Sequence, residues 1–412
     1  RGARLAERVW QPGLADIFSD LGIRYTILDD HHLKQARVSD DKFFGHHSIK
    51  GAGDFSIFAA VKKLRYTIPF RDVQVTMDFF NKLRGKENVE CVTFADDGEK
   101  FGFWPYTYNW VYKKGWLDKF FTAIENEKWI ETVTFSEALS GSRPLGEIEV
   151  PASSYSEMIE WSGGNFDNFF NKYPEADLMR TRMLGVSEKI KQSKDEAATK
   201  ELYKSQSNCA YWHGVFGGVY TSHLRHNVYN HLIKAEKILE GEKNTKNTRI
   251  MKFQKETGEI IRAQNDFLAI FIDPEYAGSI VEIDYKPTAY NLVDTISRRY
   301  EPYHEKLKRN GKHDLDALRK KTDDEDSIDL YGILGVRERN LDKLLNYDSY
   351  RKVACLCHVM DSGKTLEDFV RSFHVNMDSS GLLGGFKHVI TEEDGCLVVG
   401  LERACSVKVD PN

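Results

Sequence analysis

The sequence predicts an α/β region followed by a helical region and an all-β region. Strand-like and helix-like stretches alternate over residues 1–150, apolar residues recur at helical spacing over 151–243, and an alternation with a period of two dominates 249–412. Strands that alternate with helices imply a parallel sheet with right-handed crossovers. We therefore predict three domains with these boundaries.

The first region starts with a short strand over residues 3–6, which ends at Glu7. A helix follows over 14–21, because apolar residues recur there at i, i+3, i+4 and i+7. Asp72 predicts the cap of a second helix, and Gly85 predicts its end. In all, we predict further strands over 24–28, 64–68, 92–94 and 132–135, and further helices over 72–83 and 116–124.

The later regions differ from the first in their hydrophobic period. Ser154 and Glu157 have the spacing of a capping box and predict a helix toward Trp161. More helices are predicted over 177–205 and 220–239, a polar linker over 241–248 and an exposed charged loop over 311–329. Strands over 267–272, 279–285, 353–360, 396–401 and 405–409 predict a β-sandwich.

Composition excludes several classes of partner. The 412 residues carry a formal net charge of −5 with 29% charged residues, which argues against a nucleic acid or an anionic membrane held by bulk electrostatics. Six cysteines without a Cys-x-x-Cys pair indicate reduced thiols, so we predict a cytoplasmic protein with no structural metal and no cofactor. No apolar run reaches the roughly 18 residues of a membrane span.

Acidic residues follow three of the predicted strands. Glu7 ends the first, Asp29 and Asp30 end the second, and Asp96 and Asp97 follow the strand over 92–94. Because the carboxyl ends of parallel strands converge, these acids should meet at one mouth. The aromatic residues Trp104, Tyr106, Tyr108 and Trp110 come shortly after Asp97. Acids beside aromatic rings suit a sugar, whose faces stack on rings and whose glycosidic oxygen needs an acid.

A second cluster of candidate residues lies at 208–218, Asn-Cys-Ala-Tyr-Trp-His-Gly-Val-Phe-Gly-Gly. Its glycines let the backbone approach a ligand or another segment closely. Trp212 offers a stacking face, and His213 offers a hydrogen-bond donor. The same pattern also occurs where a Trp-His pair simply packs beside a glycine turn.

Three segments resemble signature regions of glycoside hydrolase family 57, in its 4-α-glucanotransferase and α-amylase branch. They are 5–12 (Leu-Ala-Glu-Arg-Val-Trp-Gln-Pro), 94–105 (Phe-Ala-Asp-Asp-Gly-Glu-Lys-Phe-Gly-Phe-Trp-Pro) and 208–218. Residues 63–70 and 273–279 resemble the same branch. The resemblance implies a (β/α)7 barrel and a retaining mechanism on α-1,4-glucan or maltooligosaccharide. Glu7 would be the nucleophile and Asp97 the general acid/base, and Trp10, Trp104, Trp110, Tyr211, Trp212 and His213 would contact substrate.

The chain also departs from that family. Only about five strands are predicted before Ser154, whereas a closed barrel needs about seven or eight. The first two signature regions, which include a His-Gln-Pro stretch, would precede Glu7. We therefore expect the chain to be a fragment that lacks the N-terminal strands of the barrel. Arg4 stands where an apolar residue is usual, and a charge in a barrel strand needs a partner.

Several alternatives stay open from the sequence. The motifs are compatible both with transfer to another glucan and with hydrolysis by water. A homodimer is also compatible with the sequence. A metal-dependent deacetylase or mannosidase would use Asp29, Asp30, His31 and His32 as ligands. The His-x3-His partner expected for it is missing, because His223, His226 and His231 have the wrong spacing. A glucan-binding protein without catalytic activity is the third alternative.

Overall fold

The computed structural model divides into two compact units, one formed by Arg1–Asn168 and the other by the described residues from Phe169 onward. Each unit has its own sheet and its own buried apolar core. The structure describes residues 1–104, 107–214, 217–241, 249–255, 258–305, 341–356, 358, 363–370, 385–393 and 396–402.

A five-stranded mixed sheet organises the first unit. Its strands lie in the order β1-β2-β4-β3-β5, where β1 is Gly2–Ala3, β2 Tyr25–Asp29, β3 His46–Ile49, β4 Ser56–Ala60 and β5 Glu147–Ile148. Strands β1, β2 and β4 are parallel, but β3 runs antiparallel to β4. The prediction of a purely parallel sheet was therefore wrong. Sequence patterns also missed β3 and β4, because all five residues of β4 are buried and show no alternation.

The predicted strand over 92–94 is reduced to one bridge at the end of β4. Thr93 pairs with Ala60 in parallel, and the Val61 N–H donates to the Thr93 carbonyl at 3.0 Å. Asp29, the last residue of β2, also pairs with Ala60. The carboxyl ends of β2 and β4 therefore lie beside the segment that carries Asp96 and Asp97.

Helices of the first unit confirm three predictions and correct three others. Predicted helices over 14–21, 72–83 and 116–124 are present, and Asp72 caps the second of them as expected. Residues 64–68 are mostly helical, and Thr134 begins a helix where a strand was expected. The helix at Trp161 begins after Tyr155 without the predicted capping box. The helices are α1 Leu14–Asp20, α2 Asp30–Gln35, α3 Lys62–Thr67, α4 Val73–Leu83, α5 Trp116–Asn126, α6 Phe135–Gly141 and α7 Ser156–Ser162.

The second unit begins with helices and continues with antiparallel sheets. The helices are α8 Asn168–Lys172, α9 Pro174–Ser193, α10 Glu196–Ser205 and α11 Ser222–Glu240, and a short helix α12 covers Leu366–Val370. Asp195 divides the predicted helix over 177–205, because its side chain accepts from the Ala198 N–H and caps α10. The helix predicted over 220–239 corresponds to α11 and is confirmed.

A five-stranded antiparallel sheet in the order β10-β9-β8-β7-β6 follows, together with a two-stranded sheet of β11 and β12. The strands are β6 Arg249–Lys255, β7 Gly258–Gln264, β8 Leu268–Asp273, β9 Ser279–Tyr285, β10 Tyr290–Asn291, β11 Lys387–Glu393 and β12 Cys396–Glu402. Predicted strands over 267–272, 279–285 and 396–401 are confirmed. Of the strand predicted over 353–360, Ala354 forms an isolated bridge with Ile280. The strand over 405–409, the loop over 311–329 and nearly all of the linker over 241–248 lie outside the described residues.

Along the described ranges, each helix is too short or too polar to cross a bilayer.

Candidate active site

Glu7 lies in a tight turn after β1. Residues Ala6–Arg8 form a single 3-10 turn, and both Glu7 and Arg8 have φ of 49°, the left-handed region that side chains other than glycine rarely adopt. Two hydrogen bonds fix this backbone. The Ser154 hydroxyl donates to the Glu7 carbonyl at 2.6 Å, and the His32 ring donates from Nε2 to the Arg8 carbonyl at 2.9 Å. Strained backbone that is fixed by its surroundings is typical of functional sites.

The carboxylate of Glu7 has one donor and several charged neighbours. The Tyr155 hydroxyl donates to Glu7 Oε2 at 2.9 Å. Burial raises the pKa of Glu7 above its ordinary value of 4.5, and the negative charge of Asp97 adds to the rise. The Tyr155 hydrogen bond and the charges of Arg8 and Arg4 act in the opposite direction. Arg4, three positions before Glu7, donates to Asp97, so the segments that carry the two predicted acids lie side by side despite their separation in sequence.

The two adjacent acids Asp96 and Asp97 occupy opposite environments. The Asp96 side chain is 1% exposed and forms ion pairs with Lys100 and with Arg65 at 3.5 Å. The Asp97 side chain is 46% exposed, and Arg4 donates to it at 3.0 Å. Asp96 is therefore fixed within the structure, whereas Asp97 is accessible to substrate. The partner that Arg4 was expected to need is Asp97.

A buried ionic network links these acids to the base of the site. Asp29, at the end of β2, accepts from Arg65 Nη1 at 2.9 Å and lies 3.7 Å from Arg8 Nε. Arg65 bridges Asp29 and Asp96. The guanidinium groups of Arg8 and Arg65 lie 4.7 and 5.6 Å from the centroid of the Tyr155 ring. The network places two cations against the ring of Tyr155, whose hydroxyl contacts Glu7.

The residues that a metal-dependent enzyme would use are engaged in other contacts. Asp29 forms the ion pairs above, and Asp30 Oδ2 accepts from the Lys62 N–H at 3.0 Å. The His32 ring uses Nε2 for the Arg8 carbonyl and accepts at Nδ1 from the Asp29 N–H at 3.1 Å. His31 contacts Gln35. In the part of the chain that the structure describes, no group of three His, Cys, Asp or Glu side chains could hold a metal ion.

Aromatic candidates in the first unit differ in accessibility. Trp10 is 1% exposed, stacks near Phe55 and donates to the Val150 carbonyl, so it belongs to the core and has no free face for a sugar. Trp110 donates to the Pro69 carbonyl at 2.6 Å and packs partly against a second core cluster. Trp104 is half-buried, and its indole N–H donates to Glu99 on the loop that follows Asp97.

The second cluster, at 208–218, lies in the second unit. Tyr211, Trp212 and His213 are 7%, 7% and 5% exposed. The His213 ring donates from Nδ1 to the Gly217 carbonyl at 2.7 Å, and Nε2 accepts from the Tyr303 hydroxyl at 2.9 Å. Burial lowers the pKa of His213, so the neutral ring is favoured.

Gly218 shows why this cluster requires a glycine at that position. Its φ is 53°, and a Cβ atom there would lie 2.2 Å from the Trp212 carbonyl oxygen. The Val219 N–H donates to that same carbonyl at 2.8 Å. The predicted close approach of the backbone is confirmed, and its partner is the Trp212 backbone within the same cluster.

Sequence reasoning missed the residues that hold Glu7 in place. Tyr155 and Ser154 lie almost 150 positions away from it, and the antiparallel bridge between Trp10 and Ser153 helps to bring the two segments together. Arg65 was read as part of a strand. A buried arginine in an apolar segment was the available signal, because such a charge requires an acidic partner.

Three family models match successive parts of the chain. Residues 1–151 match "Glycosyl hydrolase family 57", 164–239 match "Alpha-amylase/4-alpha-glucanotransferase, middle domain" and 253–381 match "Alpha-amylase/4-alpha-glucanotransferase, C-terminal".

Residues 1–151 belong to glycosyl hydrolase family 57.

Relatives of this chain have two kinds of name. It is 36% identical to an α-amylase of Pyrococcus furiosus, with 90% of this chain and 59% of that protein covered. It is 39% identical to a 4-α-glucanotransferase of Thermococcus litoralis, with 74% and 50% covered. A crystal structure of the latter enzyme superposes with a TM-score of 0.83 at 32% identity, and 99% of this chain and 63% of that one are covered. The chain thus spans between half and two thirds of the length of these relatives.

Proposed function

We propose that this chain carries the two catalytic acids of a retaining 4-α-glucanotransferase, with Glu7 as nucleophile and Asp97 as general acid/base. The observation that supports this most is the contrast between neighbouring acids. Asp97 is accessible and pairs with Arg4 of the segment that carries Glu7, whereas Asp96 is buried between Lys100 and Arg65. The proposed substrate is α-1,4-glucan or maltooligosaccharide, in line with the names of the relatives.

The proposed reaction has two balanced steps. In the first, the Glu7 carboxylate attacks the anomeric carbon, the bond to the leaving oxygen breaks, and Asp97 gives its proton to that oxygen. In the second, Asp97 accepts a proton from an incoming hydroxyl, whose oxygen displaces Glu7 from the glycosyl-enzyme. An acceptor sugar gives transfer, and water gives hydrolysis.

Arg4 has a defined place in this scheme. Its guanidinium is half exposed and donates to Asp97 Oδ1, so it can hold the ionised carboxylate that forms when Asp97 has given up its proton. Trp104 is the proposed sugar platform of the first unit, with Trp110 beside the same loop. Tyr211, Trp212 and His213 are proposed substrate contacts of the second unit.

The wider assignments are proposals of the same kind. The sheet β1 to β5 would form part of a (β/α)7 barrel, and the antiparallel sheets would form a β-sandwich. Residues 1–150, 151–243 and 249–412 would be the catalytic barrel portion, a helical region that completes it and the sandwich domain. A cytoplasmic location and a homodimer remain predictions from the sequence.

An α-amylase is the second candidate, because relatives of similar identity carry that name. Incubation of the protein with maltotriose separates the two. A transferase makes oligosaccharides longer than maltotriose together with glucose, whereas a hydrolase makes only shorter products. Glucose and maltose alone would overturn the transferase assignment. Binding of maltooligosaccharide without any product would favour the glucan-binding alternative.

A further inference from the structure

We infer that Tyr155 is a positioning residue for Glu7: its hydroxyl fixes one oxygen of the carboxylate and leaves the other to attack the sugar. This inference rests on the proposed role of Glu7 as nucleophile. It starts from a single contact, the hydrogen bond of 2.9 Å from the Tyr155 hydroxyl to Glu7 Oε2. A carboxylate held at Oε2 presents Oε1 in a defined direction, which is what attack on an anomeric carbon requires.

The backbone around Tyr155 is fixed against the segment that carries Glu7. Trp10 and Ser153 exchange backbone hydrogen bonds of 2.8 and 3.1 Å. The next residue, Ser154, donates its hydroxyl to the Glu7 carbonyl at 2.6 Å. Three consecutive residues, 153 to 155, therefore hold the turn at Glu7 in place through backbone and side-chain hydrogen bonds.

The ring of Tyr155 is immobilised as well. Tyr155 is 4% exposed, and the guanidinium carbons of Arg8 and Arg65 lie 4.7 and 5.6 Å from its centroid. The edge of Trp161 also meets the ring, with centroids 6.2 Å apart and planes at 90°. Cations above an aromatic face are attracted to it, and both arginines are held in turn by Asp29. The phenol is thus a rigid donor.

The contact also has an electrostatic consequence. Burial raises the pKa of Glu7, and the Tyr155 hydrogen bond is the largest influence that lowers it, ahead of Arg8. Asp97 acts in the raising direction and Arg4 in the lowering one. Replacement of Tyr155 by phenylalanine would remove the donor and make the ionised carboxylate harder to form.

The test compares Tyr155→Phe with Tyr66→Phe, using a 4-nitrophenyl α-maltooligosaccharide as the substrate. Tyr66 also donates its hydroxyl to a carboxylate, that of Glu157, so its variant removes the same atom from a neighbouring pair. For Tyr155→Phe we expect kcat/KM to fall by about tenfold to a hundredfold, as for a lost hydrogen bond to a charged group. Its acid limb should move to higher pH. Tyr66→Phe should keep the limb of the unmodified protein.

Three further measurements separate the possible outcomes of this comparison. An acid limb and a kcat/KM for Tyr155→Phe that match those of Tyr66→Phe would overturn the positioning role. Glu7→Gln with full activity would overturn the nucleophile assignment instead, so the two failures are distinguishable. Circular dichroism checks that each variant is folded. If Tyr155→Phe does not fold, Ser154→Ala is measured in its place, because it removes the hydrogen bond from the Ser154 hydroxyl to the Glu7 carbonyl. An unchanged kcat in that variant would contradict the positioning of Glu7 by residues 153 to 155.

Discussion

Arg4 donates to Asp97 Oδ1 at 3.0 Å, although 93 positions separate the two residues in the chain. Both side chains are about half exposed, at 57% and 46%. An ion pair in contact with water contributes little to stability. Its importance is therefore expected in the chemistry, because Arg4 donates to the proposed general acid.

Replacement of Arg4 by methionine tests this role. Without the guanidinium, the carboxylate that Asp97 becomes when it gives up its proton loses its donor, so kcat/KM should fall by about tenfold. Kinetics on a chromogenic maltooligosaccharide check this. Arg24→Met, which removes another exposed guanidinium, should leave kcat/KM unchanged. An unchanged or raised kcat/KM in Arg4→Met would contradict the role given to Arg4.

Asparagine substitutions at Asp96 and Asp97 should have opposite effects. Asp96→Asn leaves the buried Lys100 ammonium without its carboxylate, and we expect the free energy of unfolding to fall by about 3 to 5 kcal/mol. Asp97→Asn breaks only an exposed pair and should change stability by about 1 kcal/mol or less. Its kcat/KM should fall by about a hundredfold to ten-thousandfold through loss of the general acid. Urea unfolding and kinetics on the same preparations check both, and a reversed pattern would exchange the roles of the two acids.

Asp30 should make stability depend on pH. Burial and the charge of Asp29 raise its pKa from 3.8 to about 7, so the folded state holds a proton that the unfolded state releases. The stability that this proton provides is complete below about pH 3.8 and is lost as the pH rises through about 7. An asparagine mimics the protonated form and can still accept from the Lys62 N–H.

We therefore expect Asp30→Asn to be more stable than the unmodified protein at pH 8, by at least about 1 kcal/mol, and nearly equal to it at pH 4. Asp54→Asn, at an exposed acid, is the control and should show no such trend. Denaturant unfolding across this pH range measures the difference. A difference that does not grow with pH would show that Asp30 is not protonated in the fold.

Local patterns predicted the elements whose signals are local. Helices α1, α4 and α5 follow from apolar spacing and from Asp72 as a cap, and β9 follows from its alternation. The segment over 64–68 was predicted as a strand, yet it folds mostly as a helix. Tertiary context decides such short apolar segments, because propensity differs by only a few tenths of a kcal/mol per residue.

The residues of the candidate site also divide into those that local motifs predict and those that they do not. Glu7 and Asp97 stand out because their motifs are contiguous, and the choice of Asp97 over Asp96 agrees with their exposures. Trp10 also lies within a motif, but it turned out to be a core residue. The partners of Tyr155 and Arg65 could not be predicted, since their contacts with Glu7 and Asp29 join segments that only the folded chain brings together.

The most direct test of the account is to trap the glycosyl-enzyme. A 5-fluoro-α-glucosyl fluoride should react with the protein and add one 5-fluoroglucosyl group, because its second step is slow. Mass spectrometry of the digested protein should find this group on Glu7, and Glu7→Gln should not be labelled. A label on another carboxylate, or full turnover by Glu7→Gln, would contradict the assignment of Glu7 as the nucleophile.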